Sequence, residues 1–358
     1  MKKKLLFVTQ DQFGYHIDAF EHAKWLKNLY DITFYCWDYD EPKIALDGVN
    51  IIYCSRKGNL IKRNLDFRLG LLKLMRQSFN LVFLKYYVGV SLAHLAGRNK
   101  VLICDVRTAT VYGSFARRLL LDTITRIELW TFRHRTVISH GVAERLQINR
   151  YHLLPLGANP VYFTKKQFDE FNLLYVGTLT FRKVEDSIRG FGLFYQKYKD
   201  RIKCRYTIIG TGIDSELAKM KAYIHEFGLE EVVTMTGYIT HNELPPFLER
   251  ANIGVSYIPV TSFFNHQPPT KSYEYLLSGM VVIATATQAN RELINPQNGV
   301  LVQDTEEDFA QGLAQLYEMR GAYDAVAIQQ DAEQYTWEKV VLENLYLYFS
   351  SLNADKRK

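Results

Sequence analysis

Two adjacent cations, Arg182 and Lys183, follow a short apolar run in the second half of the sequence. The run at residues 173–176 has the composition of a buried strand, and a helical pattern begins just after the cations. The free N–H groups and the dipole of a helix N-terminus attract anions. Because Arg and Lys add charge-assisted hydrogen bonds to phosphate oxygens, the segment predicts a diphosphate site. A solvated basic turn is the alternative.

A second segment, residues 267–284, combines a helix start, a helix end and a buried strand. Thr270 lies where a helix N-cap is expected, and Gly279 lies where the helix should end. Lys271 and Glu274 are three residues apart, so they share one helical face near its N-terminus. There the carboxylate can accept both hydroxyls of a ribose while the lysine contacts phosphate. An ordinary surface ion pair is the alternative, but it predicts neither the prolines nor the glycine around the pair.

Both halves of the sequence alternate apolar, β-branched or aromatic runs with longer amphipathic stretches. In the first half, strands are predicted at residues 5–9, 32–37, 50–53, 81–84, 101–104, 136–138 and 152–154, and helices at 16–29, 60–77 and 112–132. In the second half, strands are predicted at 172–176, 206–209, 232–235, 253–257, 281–284 and 300–302, and helices at 185–198, 215–227, 243–249, 270–278 and 307–317. This alternation predicts an α/β protein with two doubly wound, Rossmann-like parallel sheets.

The 358 residues exceed the usual limit of about 250 for a single core, so two domains are expected. Two prolines and a glycine within residues 155–160 mark the boundary. We predict an N-terminal domain at 1–158 and a C-terminal domain, which holds both candidate phosphate-binding segments, at 159–336. A C-terminal helix and tail at 337–358 is expected to pack back toward the N-terminal domain. Ligands of such sheets bind beyond the carboxyl ends of the strands.

The second half resembles the family-4 glycosyltransferases, which have the GT-B architecture of two Rossmann-like domains facing across a cleft. The matching pieces follow the family's order over residues 170–305. They are Tyr175-Val176-Gly177-Thr178-Leu179 with Arg182-Lys183, Ile208-Ile209-Gly210-Thr211-Gly212, Met235-Thr236-Gly237-Tyr238-Ile239, Asn242-Glu243-Leu244 before Ala251-Asn252-Ile253, Pro269-Thr270-Lys271 with Glu274-Tyr275 and Gly279, and Asn298-Gly299-Val300-Leu301-Val302. The resemblance implies transfer of a sugar from a nucleoside diphosphate to an acceptor hydroxyl, with retention of configuration.

The resemblance also implies roles for individual residues. Arg182 and Lys183 would act in catalysis by stabilising the departing diphosphate, and Glu274 would bind the ribose hydroxyls. The family has an acid eight positions before Glu274, where this sequence has His266, so the contacts to the transferred sugar are left open. The other donor-binding candidates, of which the glycines and the backbone at 238–239 would line the nucleobase pocket, are Lys271, Thr270, Gly210, Gly212, Tyr238 and Ile239.

In the first half the resemblance is carried by fewer residues. Gly14 follows the first predicted strand, in the loop that approaches the donor phosphate in the family; an ordinary turn is the alternative. Asp105 follows the strand at 101–104 and precedes Arg107 by two residues. Asp105 is the catalytic candidate of this domain, as a group that orients the acceptor or the sugar. A buried structural Asp–Arg pair is the alternative.

Charge is unevenly distributed between the two halves. Residues 1–160 contain 24 Lys and Arg against 13 Asp and Glu, whereas the whole chain has a net charge of +6. A basic amphipathic helix is predicted within residues 56–76, and such a helix can lie on an anionic membrane surface. A sheet-covering helix with a solvated basic face is the alternative. No apolar run approaches the roughly 20 residues of a membrane span, and the four cysteines form no paired motif.

The sequence therefore predicts a cytoplasmic glycosyltransferase, peripheral on the inner face of the membrane, with a lipid-linked or cell-envelope glycan as acceptor. The partners are a nucleotide sugar, the glycan acceptor and an anionic membrane surface, with no nucleic acid. No metal and no cofactor are expected, since the nucleotide sugar is a co-substrate. Two alternatives stay open: a nucleotide-sugar 2-epimerase on the same fold, and a non-catalytic nucleotide-sugar-binding protein.

Overall fold

A computed structural model describes residues 2–110, 114–160, 166–240, 243–262 and 264–354 of the protein. The chain divides into two compact units. Unit 1 comprises Met1–Leu156 together with Trp337–Lys358, and unit 2 comprises Gly157–Thr336. Each unit is built on one parallel sheet, of seven strands in unit 1 and six in unit 2. The predicted α/β class with two parallel sheets is confirmed.

The sheet of unit 1 has the order β3-β2-β1-β4-β5-β6-β7, and every strand pair is parallel. Its strands are β1 (Lys3–Val8), β2 (Tyr30–Asp38), β3 (Val49–Ser55), β4 (Leu81–Lys85), β5 (Val101–Val106), β6 (His134–Val137) and β7 (His152–Leu153). The helices between them are α1 (Ile17–Leu26), α2 (Leu60–Leu74), α3 (Phe115–Trp130) and α4 (His140–Arg145). A 3-10 segment, Val90–Ala96, connects β4 to β5.

The sheet of unit 2 has the order β10-β9-β8-β11-β12-β13, again with parallel pairs. Its strands are β8 (Phe171–Val176), β9 (Cys204–Ile209), β10 (Val233–Gly237), β11 (Ile253–Ser256), β12 (Val281–Thr285) and β13 (Gly299–Val302). Its helices are α5 (Val184–Tyr198), α6 (Asp214–Glu226), α7 (Pro245–Arg250), α8 (Thr270–Leu277), α9 (Gln288–Arg291), α10 (Glu306–Met319) and α11 (Ala325–Ala332).

The end of the chain returns to unit 1. It forms α12 (Trp337–Lys339), a π-helical stretch (Val340–Leu345) and α13 (Tyr346–Ala354). Trp337, Val341 and Phe349 are buried with Leu5 and Phe7 of β1 in one hydrophobic core. This segment therefore completes a core that begins with the first strand of the chain.

All thirteen predicted strands are confirmed, within a few residues at each end. The structure adds the 3-10 segment Val90–Ala96 and the helices α4, α9 and α11. These elements are too short to show a helical period, so polar caps are their only local signal. The start of the helix predicted at 112–132 falls on residues 111–113, which lie outside the described residues. None of the described helices is long and apolar enough to cross a bilayer.

Candidate functional site

The loops that follow β8, β9 and β10 are joined by backbone hydrogen bonds. The N–H of Gly177 donates to Ile209 O at 3.0 Å, and the N–H of Gly210 donates to Gly237 O at 2.9 Å. A Cβ atom on Gly210 would lie 1.9 Å from Gly177 O, and the φ of Gly210 is +151°. Only glycine fits there, because both the close approach and the positive φ exclude a side chain. The carboxyl edge of this sheet is thus a tightly joined set of loops.

The loop from Gly177 to α5 bends through two non-glycine residues in the left-handed region, Phe181 (φ 59°) and Lys183 (φ 51°). The Phe181 N–H donates to Glu216 Oε1 at 3.0 Å, which holds the first bend. Such backbone conformations cost about 1 kcal/mol or more each and concentrate at functional sites. Arg182 is half-buried between them and Lys183 is exposed at the start of α5. The guanidinium of Arg182 lies 4.0 Å above the ring of Phe264.

Helix α8 is fastened to the sheet by one of its faces. The hydroxyl of Tyr275 accepts a hydrogen bond from the N–H of Val176 at 2.9 Å. Its ring occupies the space that Gly254 leaves free, since a Cβ there would lie 2.3 Å from the ring. Ser272 Oγ donates to Ser256 Oγ at 2.8 Å. With this face buried on β8 and β11, the flanking positions 271 and 274 remain half-buried at the carboxyl edge.

Lys271 and Glu274 lie on α8 as the sequence predicts, but they do not pair with each other. Neither forms a salt bridge in the part of the chain that the structure describes. The ammonium of Lys271 lies 3.5 Å from the centre of the Tyr175 ring instead. Its Nζ is also 3.8 Å from the position of a Cβ on Gly177, which places the ammonium beside this loop. The surface ion pair considered as an alternative is therefore not formed.

The charged groups of Lys271 and Glu274 are largely removed from water, and their mutual attraction only partly offsets the cost. Burial lowers the pKa of Lys271 well below its usual value, the nearby Arg182 lowers it further, and Glu274 opposes both. Burial raises the pKa of Glu274 to about 7, against the effect of Lys271. An anion placed between Arg182 and Lys271 would relieve their mutual repulsion. The arrangement favours a ligand with both a phosphate and vicinal hydroxyls.

The two ends of α8 differ in how well the sequence predicts them. The prediction of Thr270 as the N-cap is wrong, because Thr270 is the first helical residue and is exposed. Pro269 takes the capping position, where its restricted φ keeps the backbone extended, and its carbonyl accepts from Ser272 N at 3.1 Å. The prediction for Gly279 is confirmed: at φ +71° its N–H donates to Leu276 O. The next N–H, of Met280, donates to Tyr275 O, which completes a Schellman motif.

The other donor candidates lie in neighbouring loops of unit 2. His266 is half-buried in the loop before α8. A Cβ on Gly212 would lie 3.0 Å from Leu179 Cβ, so this glycine also keeps two loops in contact. Tyr238 and Ile239 follow β10, and the ring of Tyr238 is 74% exposed. Their roles toward a nucleobase or sugar stay predictions.

In unit 1, Asp105 is buried within a polar network. It is 3% exposed and accepts a hydrogen bond from Thr136 Oγ1 at 2.6 Å. Burial raises the pKa of Asp105, and Arg107 opposes this rise. The main partner of Arg107 is Asp18, whose Oδ2 accepts from Nε at 2.7 Å. The geometry is that of the buried structural alternative, and a catalytic role for Asp105 stays a prediction.

The same network borders a small cavity that the sequence does not reveal. The cavity measures about 10 Å³, room for about one water molecule, and is lined by His16, His22, Asp18, Lys85 and Arg107 among others. His16 Nδ1 and His22 Nε2 are buried without a hydrogen-bond partner among the described residues. Burial and then Arg107 lower the pKa of His22 to about 3, so this ring is neutral near pH 7.

Gly14 occupies the turn after β1, with φ +88°. A Cβ there would lie 2.4 Å from Ile44 Cδ1. The turn needs glycine for its conformation and for packing against Ile44, which accounts for its presence without a ligand. Contact with a donor phosphate stays a prediction.

Sequence reasoning missed three contributors to the site of unit 2. Tyr175 lies under the Lys271 ammonium, Phe264 lies under Arg182, and Glu216 holds the bend at Phe181. The only sequence signal was the position of Tyr175 near the end of a strand. No group of three or more His, Cys, Asp or Glu side chains is arranged to hold a metal within the described residues.

Comparison with known proteins agrees with this geometry. The profile of the family described as glycosyl transferases group 1 matches residues 170–319, which hold the unit 2 site. No curated protein sequence matches the chain.

Several solved structures share the fold across both units. Sucrose-phosphate synthase from Thermosynechococcus elongatus is 16% identical, with 99% of this chain and 100% of that chain covered and a TM-score of 0.72. HepE from Anabaena, in complex with UDP and glucose, is 13% identical, with coverage of 98% and 100% and a TM-score of 0.69. The lipopolysaccharide outer core galactosyltransferase WaaB is 16% identical, with coverage of 94% and 97% and a TM-score of 0.68. The chain therefore has the fold of these proteins, the GT-B architecture with two parallel-sheet α/β units.

Proposed function

We propose that this protein is a retaining glycosyltransferase that moves a sugar from a nucleoside diphosphate to an acceptor hydroxyl. The observation that carries the proposal is the convergence of Arg182, Lys271 and Glu274 at the carboxyl edge of the unit 2 sheet, inside the segment that the family profile matches. Two cations that repel each other and a carboxylate that forms no salt bridge among the described residues are complementary to a diphosphate and a ribose.

In the proposed mechanism, the bond from the anomeric carbon to the phosphate oxygen breaks and a bond to the acceptor oxygen forms on the same face. The departing phosphate takes the acceptor proton. Arg182, Lys271 and Lys183 stabilise the charge that accumulates on the diphosphate, and they do so from fixed positions. A bound diphosphate opposes the lowering of the Lys271 pKa and so stabilises the charged form of this side chain. No metal takes part in this proposal.

The donor is the least constrained part of the site. HepE, a structural neighbour, was solved with UDP and with UDP-glucose. We therefore assign a uridine diphosphate sugar as the first donor to test, with Gly210, Gly212 and the exposed Tyr238 beside the base. Thr270 and His266 contact the phosphate or the sugar. Asp105, which is buried, acts in this proposal as a positioning residue through Arg107 and Thr136.

The acceptor is proposed to be a lipid-linked or cell-envelope glycan, reached from the cytoplasmic side. WaaB, another neighbour, acts on lipopolysaccharide by its name. Helix α2 exposes Lys62 and Lys73, and Arg76 is exposed just after its end; these cations support attraction to an anionic membrane surface. The protein would then work as a peripheral enzyme at the membrane where its acceptor is found.

The proposal is tested by incubating the full chain with UDP, GDP and ADP sugars and following three products. Release of the nucleoside diphosphate, slow without an acceptor and fast with one, supports a transferase. An isomerised nucleotide sugar would instead identify an epimerase, and binding without turnover would identify a scaffold. Thermal shift with the free nucleotides selects the base beforehand, because a ligand of the folded state raises its stability. Glu274→Gln serves as the matched variant and should lose the shift.

A further inference from the structure

Helix α3 of unit 1 turns its apolar side chains to the solvent. Phe115 is 74% exposed and Trp130 is 85% exposed, and Leu119, Leu120 and Ile127 are exposed as well. At 3.6 residues per turn these five positions lie on one side of the helix. A surface helix of a globular protein normally buries such a stripe. The exposure of this apolar stripe on α3 therefore requires an explanation.

The inward face of α3 is largely polar: three of its four buried side chains are Asp122, Thr125 and Glu128, and the fourth is Leu129. Glu128 accepts from the Gly89 N–H at 2.8 Å, from Ser91 Oγ at 2.9 Å and from the Tyr86 hydroxyl at 3.1 Å. Asp122 forms a salt bridge with Arg145 at 3.1 Å and accepts from the N–H of Thr110. Rotating the helix to bury its apolar stripe would leave two carboxylates without these partners, which is costly. The outward orientation of Phe115 and Trp130 is thus imposed by the fold.

The apolar stripe continues over two neighbouring elements. The 3-10 segment Val90–Ala96 packs against both α2 and α3 and exposes Leu92 and Leu95. Helix α2 exposes Leu60, Ile61, Leu65 and Leu69. With Val88, these three elements hold half of the large apolar side chains that are exposed over the described residues. We call the exposed face of α2, Val90–Ala96 and α3 the α2–α3 surface.

The charge around this surface identifies its partner. Residues 56–133 contain 15 Lys and Arg but only four Asp and Glu. Three of the acids, Asp105, Asp122 and Glu128, are buried, which leaves Asp66 as the exposed one. A surface that combines exposed aromatic and aliphatic groups with almost unopposed cations is complementary to an anionic bilayer. A second copy of the same cationic face would be repelled.

We propose that the α2–α3 surface is a membrane-insertion surface, in which the stripe of α3 enters the acyl region and the cations of α2 contact lipid phosphates. The inference rests on the proposed function, because the purpose of such a surface is to hold the enzyme at a lipid-linked acceptor. It goes beyond charge attraction by α2, because it requires Phe115, Leu119 and Trp130 to reach hydrocarbon. Interfacial helices of this kind lie about 5–10 Å into the boundary of the bilayer.

Trp130 provides a direct probe of insertion. The protein has four tryptophans; Trp37 and Trp337 are buried, Trp25 is half-buried, and Trp130 is exposed. The full chain is mixed with phosphatidylcholine vesicles that contain phosphatidylglycerol, and with the same vesicles carrying brominated acyl chains. We expect sedimentation with the anionic vesicles, a blue shift of the fluorescence and its quenching by bromine. Trp130→Phe should bind the vesicles but lose most of the quenching.

Paired variants separate insertion from charge attraction. Trp130→Gln with Leu119→Gln should weaken vesicle binding at least tenfold at both low and high salt. Lys62→Gln with Lys73→Gln and Arg76→Gln should weaken binding chiefly at low salt, because surface charges are screened. Leu347→Gln is the matched control: Leu347 is 57% exposed on α13 of the same unit, and its loss should leave binding unchanged.

Three outcomes would overturn the inference. The first is an absence of vesicle binding at low salt, and the second is vesicle binding without bromine quenching. The third is a protein dimer in solution that dissociates in the Trp130→Gln variant. In the last case the surface is an interface between copies. Release of nucleoside diphosphate is measured on the same samples with a detergent-solubilised acceptor. If nucleotide release persists while insertion fails, the proposed function holds and the membrane-insertion surface is wrong. If insertion occurs without nucleotide release, the surface holds and the proposed function is wrong.

Discussion

The Lys271 ammonium lies 3.5 Å from the centre of the Tyr175 ring, at the edge where β8 ends and α8 begins. This contact holds a cation whose pKa is lowered first by burial and then by Arg182. An aromatic face attracts the charged form of lysine, so the ring partly offsets the cost of burying the ammonium. It also keeps the ammonium beside Gly177, where the proposed diphosphate would lie.

Replacing the ring should therefore weaken nucleotide binding. We expect Tyr175→Leu to cost about 0.5–2 kcal/mol in UDP affinity, the range of cation–π contacts. Tyr175→Phe keeps the ring and loses only the hydroxyl, which donates to Thr178 O at 2.9 Å. Calorimetric titration with UDP should place the phenylalanine variant near the unmodified protein. Equal losses in both variants would mean that the hydroxyl, not the ring, supports the site.

Removing the carboxylate of Glu274 should weaken the donor nucleotide with the fold retained. We expect a loss of about 1.5–3 kcal/mol for Glu274→Ala, as for hydrogen bonds to charged groups. The control is a nucleotide without ribose hydroxyls. It lacks the groups that Glu274 is proposed to bind, so its affinity should not depend on Glu274. The unmodified protein should prefer UDP over its 2′,3′-dideoxy analogue, and the variant should not. Unchanged UDP affinity in a folded variant would remove Glu274 from the site.

Glu274 also predicts how stability depends on pH. Its folded pKa is about 7, above the usual 4.5, so the folded state binds this proton more tightly than the unfolded state. The stabilisation from protonated Glu274 is complete below about pH 4.5 and is lost as the pH rises through 7. Glu274→Gln, which cannot ionise, should match the unmodified protein near pH 4. At pH 8 it should be more stable by about 1 kcal/mol, allowing for its partial exposure. Urea unfolding at both pH values without nucleotide measures this difference, and a constant difference would contradict the raised pKa.

The cations of the β8–α5 loop should act mainly on turnover. Their charge is needed most when the diphosphate departs, so Arg182→Ala and Lys183→Ala are expected to lower kcat more than they raise KM. Lys199→Ala is the matched control, since Lys199 is an exposed cation at the other end of α5. Steady-state kinetics of nucleotide release provide the measurement. Variants that raise KM alone would show that the cations bind the ground state and the transition state equally.

His266 should contact the donor sugar or phosphate. A neutral imidazole offers one donor and one acceptor, whereas a carboxylate only accepts, so the residue changes which hydroxyls are held. We expect His266→Glu to alter the preference among nucleotide sugars or the rate. UDP lacks the sugar, so its affinity should change by no more than about twofold, or about 0.4 kcal/mol. His266→Gln, which also donates and accepts, should stay closer to the original preference. If neither variant changes preference or rate, His266 has no role at the sugar.

Much of the unit 2 site could be predicted because its signals are local. The spacing of Lys271 and Glu274 on one helix determines that they share a face, wherever that helix packs. Gly279 was predictable as the helix end because an αL residue there is a local backbone requirement. Thr270 was misplaced by one residue, since the competition between Thr270 and Pro269 for the capping position depends on how the preceding loop enters the helix.

By itself, the amino-acid sequence determined the thirteen strands, the two parallel sheets and the cations that follow β8, because apolar period and turn chemistry are read within a few residues. Only the tertiary structure decided which groups meet. Tyr175 lies under Lys271, 96 residues away in the chain, and Asp105 is buried and bonded to Thr136. The tertiary structure also determined which face of α3 is exposed. An amphipathic period is the same whichever side is buried. The polar side is buried because the partners of Glu128 and Asp122 come from other elements.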